Sequence, residues 1–194
     1  DKWTLMRPNR LGGATWSGAS FDPSLGYLFV NGNERAEMLR IAKQLEGAQL
    51  PYLRDNRSLS FATKDKVPCQ RPPWGTLNAI DLSTGEIAWR VPLGFNEKLA
   101  KQGLTNTGTW SLGGTIATAG RLVFIAGTND SRFRAFDSKT GKELWVTELP
   151  APGHATPMTY RGKRGGKQFV VIAAGGGGNL GSKTSDALEA YSLP

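Results

Sequence analysis

The alternation of apolar and polar residues is clearest between residues 111 and 150. Apolar runs at residues 122–126, 133–136 and 143–146 are separated by polar turns at residues 127–130 and 137–141. Short runs rich in β-branched and aromatic residues, broken by Gly, Asp, Asn or Ser about every 8–12 residues, are typical of antiparallel sheets. This stretch therefore predicts one nearly complete all-β unit.

The pattern elsewhere predicts further strands and one exception. Strands are expected at residues 27–31, in a second unit at residues 74–93, and in a hairpin with its turn at residues 161–167 and its return strand at residues 168–173. Residues 34–46 carry apolar side chains at near-helical spacing without Gly or Pro, which predicts a short amphipathic helix. A long polar loop follows at residues 47–73. A single domain over residues 1–194 is predicted, with a helix-and-loop excursion at about residues 34–66.

The composition agrees with a folded sheet protein. Of 194 residues, 39% are hydrophobic, 21% are charged and 25 are glycine. Glycine is near twice its usual share of about 7%, and turn-rich sheets tolerate this better than helices do. No apolar run approaches the roughly 20 residues that cross a bilayer. The chain starts at Asp1 without an initiator Met or a signal peptide, which predicts a mature protein or an excised fragment.

The formal net charge of +8 has two interpretations. One is attraction to nucleic acid or anionic lipid, and the other is a solvated basic surface. Lys and Arg are scattered, with no dense run beyond residues 161–167. This distribution favours the solvated surface, and no nucleic-acid partner is predicted.

A single cysteine and a single histidine narrow the possible chemistry. Cys69 cannot form a disulfide within the chain or build a Cys-based metal site. His154 alone excludes two-His metal motifs, and a role as a loop residue is favoured over a Ser-His-Asp mechanism. The glycines at residues 175–178 lack the Lys-Ser/Thr of a phosphate loop. No metal ligand is assigned in this chain.

Two segments of the chain superimpose without gaps: LNAIDLSTGEIAWRVPL at residues 77–93 and FRAFDSKTGKELWVTEL at residues 133–149. They share the frame Ala-x-Asp-x-x-Thr-Gly-x-x-x-Trp and start 56 residues apart. We interpret the Asp as a residue whose side chain caps a tight turn, the Thr as a second residue that supports this cap, and the Gly as the residue with positive φ. A third, partial copy lies at residues 188–191.

Repeated sheet units of this size predict a β-propeller. One four-stranded unit cannot bury both of its faces alone, so successive units must stack. The Trp of each frame is expected to fill the gap between neighbouring sheets, as a core residue and not as part of a cofactor site. At this period the chain holds about three to four blades.

The repeated frame resembles the tryptophan-docking repeat of pyrroloquinoline quinone (PQQ) dehydrogenases. GGTIATAGRLVF at residues 113–124, ATPMTY at residues 155–160 and KQFVVIAAGGG at residues 167–177 resemble the carboxy-terminal part of that family. VPCQRPPWGTLNAIDL at residues 67–82 and the ending AYSLP are similar to its membrane-type glucose dehydrogenase branch. That branch carries a His in the last glycine run, where this chain has Gly177, and the difference weakens an assignment to glucose.

The resemblance implies a partial eight-bladed β-propeller, the carboxy-terminal part of a larger enzyme whose amino-terminal blades are missing. It implies oxidation of a sugar or alcohol hydroxyl by PQQ with a divalent cation, Ca²⁺ or Mg²⁺, bound mainly by residues outside this chain. A membrane quinone or cytochrome would accept the electrons, in the periplasm or at the periplasmic face of the inner membrane.

The family's catalytic Asp and its neighbouring Lys or Arg are expected before Asp1. No catalytic residue is therefore assigned, and the chain alone is expected to be inactive. Asp22, Asp81 and Asp137 each lie in a turn, where a capping role is favoured over that of a general base.

Three residues match family positions near the cofactor. Asn31 resembles the Asn that hydrogen-bonds the quinone, Asp130 resembles an Asp near the cofactor, and Trp16 matches a family Trp. The structural alternatives are turn residues for Asn31 and Asp130 and a packed side chain for Trp16. A non-catalytic propeller with PQQ-like repeats, used for binding or as a scaffold, is the alternative function.

Overall fold

The computed structural model describes residues 2–10, 12–55, 59–65, 67–163 and 166–192. No helix in this part of the chain is long and apolar enough to cross a membrane. In chain order the elements are β1 (Thr4–Met6), β2 (Ser20–Asp22), β3 (Tyr27–Asn33), β4 (Glu37–Leu39), β5 (Ile41–Lys43), β6 (Tyr52–Arg54), β7 (Leu59–Ser60), β8 (Gly75–Asp81), β9 (Ile87–Pro92), α1 (Glu97–Ala100), β10 (Ile116–Ala117), β11 (Leu122–Ile125), β12 (Arg132–Asp137), β13 (Glu143–Glu148), β14 (Met158–Arg161), β15 (Gln168–Gly176), a 3-10 helix (Gly178–Leu180) and β16 (Thr184–Ser192).

Three antiparallel sheets follow one another along the chain, and we name them blades 1, 2 and 3. Blade 1 has the strand order β2-β3-β8-β9, blade 2 has β10-β11-β12-β13, and blade 3 has β14-β15-β16. In blades 2 and 3 each strand pairs with the next strand in sequence. These successive meanders are the blades of a β-propeller, which confirms the predicted fold class. Residues 164 and 165 of the predicted 161–167 turn lie outside the described residues, although Arg161 and Gln168 on either side pair as expected.

The blades pack face to face through two layers of buried side chains. Side chains on a strand alternate between its two faces, so a middle blade can supply both layers. β11 directs Val123 and Ile125 towards blade 1, and it directs Phe124 towards blade 3. The layer between blades 1 and 2 contains Phe29, Leu77, Ala79, Leu93, Val123, Ile125 and Phe136. The layer between blades 2 and 3 contains Ala126, Phe133, Leu149, Val170, Ile172 and Ala174.

The two repeated turns use the same hydrogen-bond pattern. Asp81 Oδ1 accepts bonds from the backbone N and the hydroxyl of Ser83 at 2.9 and 2.6 Å. Asp137 Oδ1 accepts bonds from the backbone N and the hydroxyl of Thr140 at 2.8 and 2.7 Å. These hydroxyl bonds hold the pKa of both carboxyl groups below the ordinary value. The predicted Asp cap is confirmed, although the first turn takes its hydroxyl from Ser83 instead of the Thr of the frame.

Trp89 of blade 1 docks on the corresponding turn of blade 2. Its indole Nε1 donates a 3.0 Å hydrogen bond to Ser138 O, and its ring stacks on Phe29 with centroids 5.7 Å apart. Gly141 has φ 71°, and a Cβ there would lie 2.6 Å from a ring carbon of Trp89. The glycine of the frame therefore allows the positive φ of the turn and leaves room for the indole ring. The predicted core role of Trp89 is confirmed.

Replacing Trp89 by Phe is expected to lower the free energy of unfolding by about 1–2 kcal/mol, because the buried Ser138 carbonyl loses its donor. Urea unfolding of the full-length protein measures the change. Trp16→Phe is the matched control in the protein without cofactor, because Trp16 is 83% exposed, and its effect is expected to stay within about 0.5 kcal/mol. Equal effects of the two substitutions would contradict the docking role.

The predicted helix at residues 34–46 is wrong. These residues contain β4, which pairs with β1 and β7, and β5, which pairs with β6. Hydrogen-bond partners far away in sequence override the near-helical spacing of the apolar residues, since strand formation depends on the neighbouring strands more than on local preference. The predicted loop at residues 47–73 likewise contains β6 and β7. The excursion thus supplies β4 to β7, inserted between β3 and β8, to two small sheets, one of which also contains β1. Residues 56–58 and 66 lie outside the described part.

Candidate functional site

The segments that lead into the first strand of each blade converge, and we name this place the inner rim. Thr156 Oγ1 donates a hydrogen bond to Ser17 O at 3.2 Å, and Gly114 N donates one to Thr156 Oγ1 at 3.3 Å. These bonds join blades 1, 2 and 3 at one point. The segments are residues 14–18 before β2, residues 111–115 before β10 and residues 153–156 before β14.

The backbones approach so closely at the inner rim that glycine is required. A Cβ on Gly113 would lie 2.6 Å from Ala155 O and 3.0 Å from Gly127 Cα. A Cβ on Gly127 would lie 2.5 Å from Gly113 N. Real Cβ atoms do not come so near to backbone atoms, so the absence of a side chain permits this crossing. Part of the inner rim is therefore built from main chain alone.

Asn31 lies fully buried at this rim, near the end of β3. Its Oδ1 accepts a hydrogen bond from Thr15 Oγ1 at 2.9 Å, and its Nδ2 donates to Ser111 Oγ at 2.8 Å and to Gly113 O at 3.0 Å. Both amide hydrogens are thus used within the protein, and among the described residues Oδ1 accepts from one side-chain donor, which leaves it a second lone pair. Asn31 ties the rim segments of blades 1 and 2 together, and its contact with a quinone stays a prediction.

Asn33 makes a second link between the same two segments. Its Nδ2 donates to Ser111 O at 2.9 Å, and its Oδ1 accepts from Ser111 N at 3.0 Å. The sequence analysis did not single out Asn33. The Asn-Gly-Asn spacing at residues 31–33 was the available signal, because alternate residues of a strand share one face.

Asp130 is buried in an ion pair, with a side chain that is 1% exposed. Oδ1 accepts bonds from Thr128 Oγ1 at 2.6 Å and Arg134 Nη1 at 3.1 Å. Oδ2 accepts bonds from Arg134 Nη2 at 2.5 Å and Phe95 N at 3.2 Å. Four donors around one carboxylate give it a structural role in holding the loop at Phe95. Whether it also contacts a cofactor stays a prediction.

Trp16 follows Thr15 directly on the inner rim, and Thr15 N donates a 3.0 Å hydrogen bond to Asn31 O. Trp16 is 83% exposed in this chain, and both its cofactor role and its packed alternative stay predictions. Trp16 therefore directly follows a hydrogen-bond partner of Asn31 at the inner rim. Asp130 is connected to Asn31 less directly. It accepts a bond from Thr128, whose backbone pairs with that of Ser111, and the Ser111 hydroxyl accepts a bond from Asn31.

His154 lies half-buried between the loops of blades 2 and 3. Its Nδ1 lies 3.3 Å from Gly127 O, and its Nε2 lies 3.2 Å from Ser182 Oγ. Ser182 Oγ in turn donates to Gly177 O at 3.3 Å. Burial lowers the pKa of His154 from its ordinary value, although the bond to Gly127 opposes this shift. The histidine that the sequence placed in a loop therefore links two blades next to the glycine run.

The stability of the protein is expected to respond to the titration of His154. Its pKa in the folded protein lies below the ordinary value of 6.5, so the unfolded chain binds more protons between the two values. The free energy of unfolding should therefore fall as the pH is lowered from about 7 through this window. Unfolding midpoints measured between about pH 5 and 8 should show a smaller acid-side loss in His154→Gln, which keeps polar atoms but does not titrate. A constant difference between the two proteins across that range would contradict this expectation.

Arg35 and Trp110 form a pair that the sequence analysis missed. The guanidinium carbon of Arg35 lies 4.4 Å from the centroid of the Trp110 ring. Arg35 follows β3 by two residues, and Trp110 directly precedes Ser111 of the inner rim. No local signal could have shown this pair, because 75 positions of sequence separate its members.

The inner rim offers few ligands for a metal ion. Within the described ranges, no group of three or more His, Cys, Asp or Glu side chains is arranged to hold one. Cys69 is a free, exposed thiol. The polar groups at the rim are instead amides, hydroxyls and backbone atoms, which suit hydrogen bonding to an uncharged or anionic group.

Comparison with known proteins gives consistent matches. The family model described as PQQ, "Glucose/ethanol/alcohol dehydrogenase, beta-propeller domain", matches residues 1–170. A probable quinate dehydrogenase (quinone) of Xanthomonas campestris pv. juglandis is 41% identical, over 98% of this chain and 27% of that protein. Quinoprotein glucose dehydrogenase A of Acinetobacter calcoaceticus is 37% identical, over 100% of this chain and 26% of that protein. The chain thus spans about a quarter of the length of these relatives.

A solved structure shares the fold. The europium-containing methanol dehydrogenase superposes with a TM-score of 0.68 at 27% identity, over 90% of this chain and 27% of that one. The family match covers far more than half of the chain, and the matching structure is also a dehydrogenase. The chain therefore belongs to the β-propeller domain family of PQQ-dependent glucose, ethanol and alcohol dehydrogenases.

Proposed function

We propose that this chain forms part of a PQQ-dependent dehydrogenase that oxidises a hydroxyl group of a sugar, an alcohol or a hydroxylated ring acid such as quinate. The match of residues 1–170 to the family model carries the proposal. The names of relatives support the substrate range, because they include quinate, glucose and glycerol dehydrogenases. The names of two quinate dehydrogenases include a quinone, which supports a quinone as the electron acceptor. A cytochrome is the alternative acceptor that we propose.

The residues of the inner rim fit a flat, polar cofactor. Trp16 presents an exposed indole face, which suits stacking against a planar ring. Asn31 beside it keeps one free acceptor lone pair, and its amide is held rigidly by Thr15, Ser111 and Gly113. When bound, PQQ would supply the oxidant for removal of hydride from the carbon that bears the hydroxyl group. In this chain Trp16 would set the plane of the bound PQQ ring, and Asn31 would hold the inner-rim segments in place beside the cofactor.

The general base and the cation ligands are proposed to lie outside this chain. Asp22, Asp81 and Asp137 accept hydrogen bonds within their own turns, and Asp130 is paired with Arg134. These bonds favour a structural role for each of the four carboxylates over that of a general base. A divalent cation, Ca²⁺ or Mg²⁺, would be bound by oxygen ligands from the rest of the enzyme. The chain alone is expected not to turn over, and turnover by it alone would contradict this placement.

Dye reduction by the full-length protein tests the proposal. We expect activity with quinate, glucose or glycerol that requires both PQQ and Ca²⁺ or Mg²⁺, and no activity when either is withheld. Fractionation of cells should place the protein in the periplasm or on the periplasmic face of the inner membrane. Failure of the apo-protein to bind PQQ with either cation would contradict the proposed enzyme and favour a non-catalytic propeller.

Replacing Trp16 by Ala is expected to weaken PQQ binding about tenfold, because ring stacking contributes roughly 1 kcal/mol beyond the area it buries. Fluorescence titration of the full-length apo-protein with PQQ measures the affinity. Trp16→Phe, which keeps an aromatic face, should retain most of it. Equal affinity of the alanine variant and the unmodified protein would remove Trp16 from the cofactor site.

A further inference from the structure

We propose that Arg35 and Trp110 form a carboxylate-binding subsite beside the inner rim of the enzyme. The proposal rests on the dehydrogenase function above and deepens it by naming a charged group that the enzyme recognises. The carboxylate could belong to a hydroxy-acid substrate or to PQQ, which itself carries carboxylates. The contacts below define the subsite, and the experiments distinguish the two sources.

The backbone on both sides of the pair is fixed by hydrogen bonds. Asn33 exchanges two bonds with the backbone of Ser111, the residue after Trp110. Glu34 N, the residue before Arg35, donates to Trp74 O at 2.9 Å. Trp110 O accepts a 3.0 Å bond from Asn129 N. The two side chains therefore extend from a rigid support on blades 1 and 2, as a preorganised binding site requires.

The guanidinium of Arg35 has no acid partner in the described part of the chain. It lies instead over the face of the Trp110 ring. Other arginines of that part that are buried or half-buried do meet carboxylates. These pairs are Arg40 with Asp55, Arg132 with Glu97 and Glu148, and Arg134 with Asp130 and Glu143.

The acidic residues nearest to Arg35 in sequence are already engaged. Glu34 lies 3.6 Å from Arg7, and Glu37 pairs with Arg10. Burial alone lowers the pKa of Arg35 to about 10, so the side chain is charged at neutral pH but poorly solvated. A bound anion would relieve this cost, since a half-buried charge is stabilised by an opposite charge close to it.

The geometry of the pair suits a carboxylate. The guanidinium carbon lies 4.4 Å from the indole centroid, and an arginine that rests on an aromatic face can still donate from the N–H groups on its edges. Those edges can donate two parallel hydrogen bonds to one carboxylate, which strengthens the interaction and fixes its direction. A neutral polyol offers no group that matches this charged fork. The subsite would therefore favour a hydroxy acid such as quinate over glucose or glycerol.

Steady-state kinetics of the full-length holoenzyme test the subsite with quinate and glucose as substrates. Arg35→Gln removes the charge at similar size, and Arg35→Lys keeps the charge but loses the planar fork. If the substrate supplies the carboxylate, Arg35→Gln should raise KM for quinate about 10–100-fold and leave glucose oxidation unchanged. Arg35→Lys should recover part of the loss. Arg54→Gln, at an exposed arginine on β6, is the matched control and should change neither substrate's KM.

Binding measurements on the full-length apo-protein provide a readout independent of turnover. Fluorescence titration gives the Kd for PQQ, and saturation-transfer NMR detects quinate, with inositol as a neutral ring for comparison. If PQQ supplies the carboxylate, Arg35→Gln should raise the PQQ Kd about 10–100-fold, and both substrates should then be affected alike. If the substrate supplies it, Arg35→Gln should abolish the quinate signal and leave the PQQ Kd unchanged.

The subsite would be overturned if Arg35→Gln left the KM for quinate, the quinate NMR signal and the PQQ Kd all unchanged. Such a result would leave the dehydrogenase function standing, because the unmodified enzyme would still need PQQ for turnover. Conversely, the unmodified protein could bind quinate but no PQQ, and Arg35→Gln could abolish the quinate signal. That result would support the subsite and contradict the proposed function. The two failures are therefore distinguishable.

Discussion

Replacing Asp130 by Asn in the full-length enzyme is expected to lower the free energy of unfolding by about 3–5 kcal/mol. Asp130 and Arg134 are both almost fully buried, with side chains 1% and 3% exposed. The amide oxygen of Asn could still accept from Thr128 and from one nitrogen of Arg134. Its NH₂ group would face the other nitrogen of Arg134 and the backbone N of Phe95, so donors would oppose donors. Urea unfolding measures the loss, which arises because the buried guanidinium loses its buried counter-charge and keeps only the partly exposed carboxylate of Glu143.

Glu148→Gln is the matched control for this prediction. Glu148 also pairs with an arginine, Arg132 at 3.0 Å, but its side chain is 79% exposed. An ion pair in solvent contributes up to about 1 kcal/mol, so the control should lose little. Similar losses for both substitutions would contradict the special role of the buried pair. Unchanged PQQ affinity and turnover in Asp130→Asn, measured where the variant is folded, would remove Asp130 from the cofactor site.

Gly113→Ala is expected to have the second large effect. Its Cβ would lie 2.6 Å from Ala155 O and 3.0 Å from Gly153 O, so the rim segments of blades 2 and 3 must separate. Forcing extra atoms into such a contact costs about 1–3 kcal/mol of stability, or more where only backbone surrounds the site. Because Gly113 O also accepts a bond from Asn31, the variant should bind PQQ more weakly as well. Thermal unfolding and PQQ titration of the full-length enzyme test both effects.

Gly120→Ala in the same blade is the control for Gly113→Ala. A Cβ on Gly120 would meet only Thr118 Oγ1, at 3.8 Å, which is ordinary contact distance. Its stability should therefore change by no more than about 0.5 kcal/mol. If Gly113→Ala were as stable as this control, the close backbone crossing at the inner rim would be wrong.

The repeated blade could be predicted because its signal is local. Asp137, Thr140 and Gly141 lie within five positions, and their turn forms from their own side chains and backbone. The stacking of blades then follows from alternation along each strand, which is visible in the sequence. The strand order within blades 2 and 3 is equally local, since each strand pairs with the next.

The excursion could not be predicted in the same way. Met38 pairs with Leu5 and with Leu59, which lie far from it in sequence on either side. A stretch of three residues shows no difference between helical spacing and strand alternation, so distant partners decide its structure. The helix prediction failed for this reason.

The candidate site was predictable only in part. Asn31 and Trp16 do lie together on the inner rim, but their partners come from segments about 80 residues apart, such as Ser111. The ion pair of Asp130 with Arg134 was not foreseen, because residues four positions apart are not neighbours on a single strand and here a turn brings them together. Arg35 and Trp110 meet only through the tertiary fold.

The docking of Trp89 on Ser138 also has a consequence for the order of events during synthesis. The indole and its acceptor are separated by 49 positions in the chain. At about 5–20 residues per second, a ribosome adds that length in roughly 2–10 s. During this interval all strands of blade 1 have been synthesised. Trp89 still lacks its hydrogen-bond acceptor Ser138, and Phe29 still lacks the side chains of blade 2 that bury it. Blade 1 therefore acquires its final packing only after most of blade 2 has been translated, and the two should be protected from proteolysis together and not one after the other.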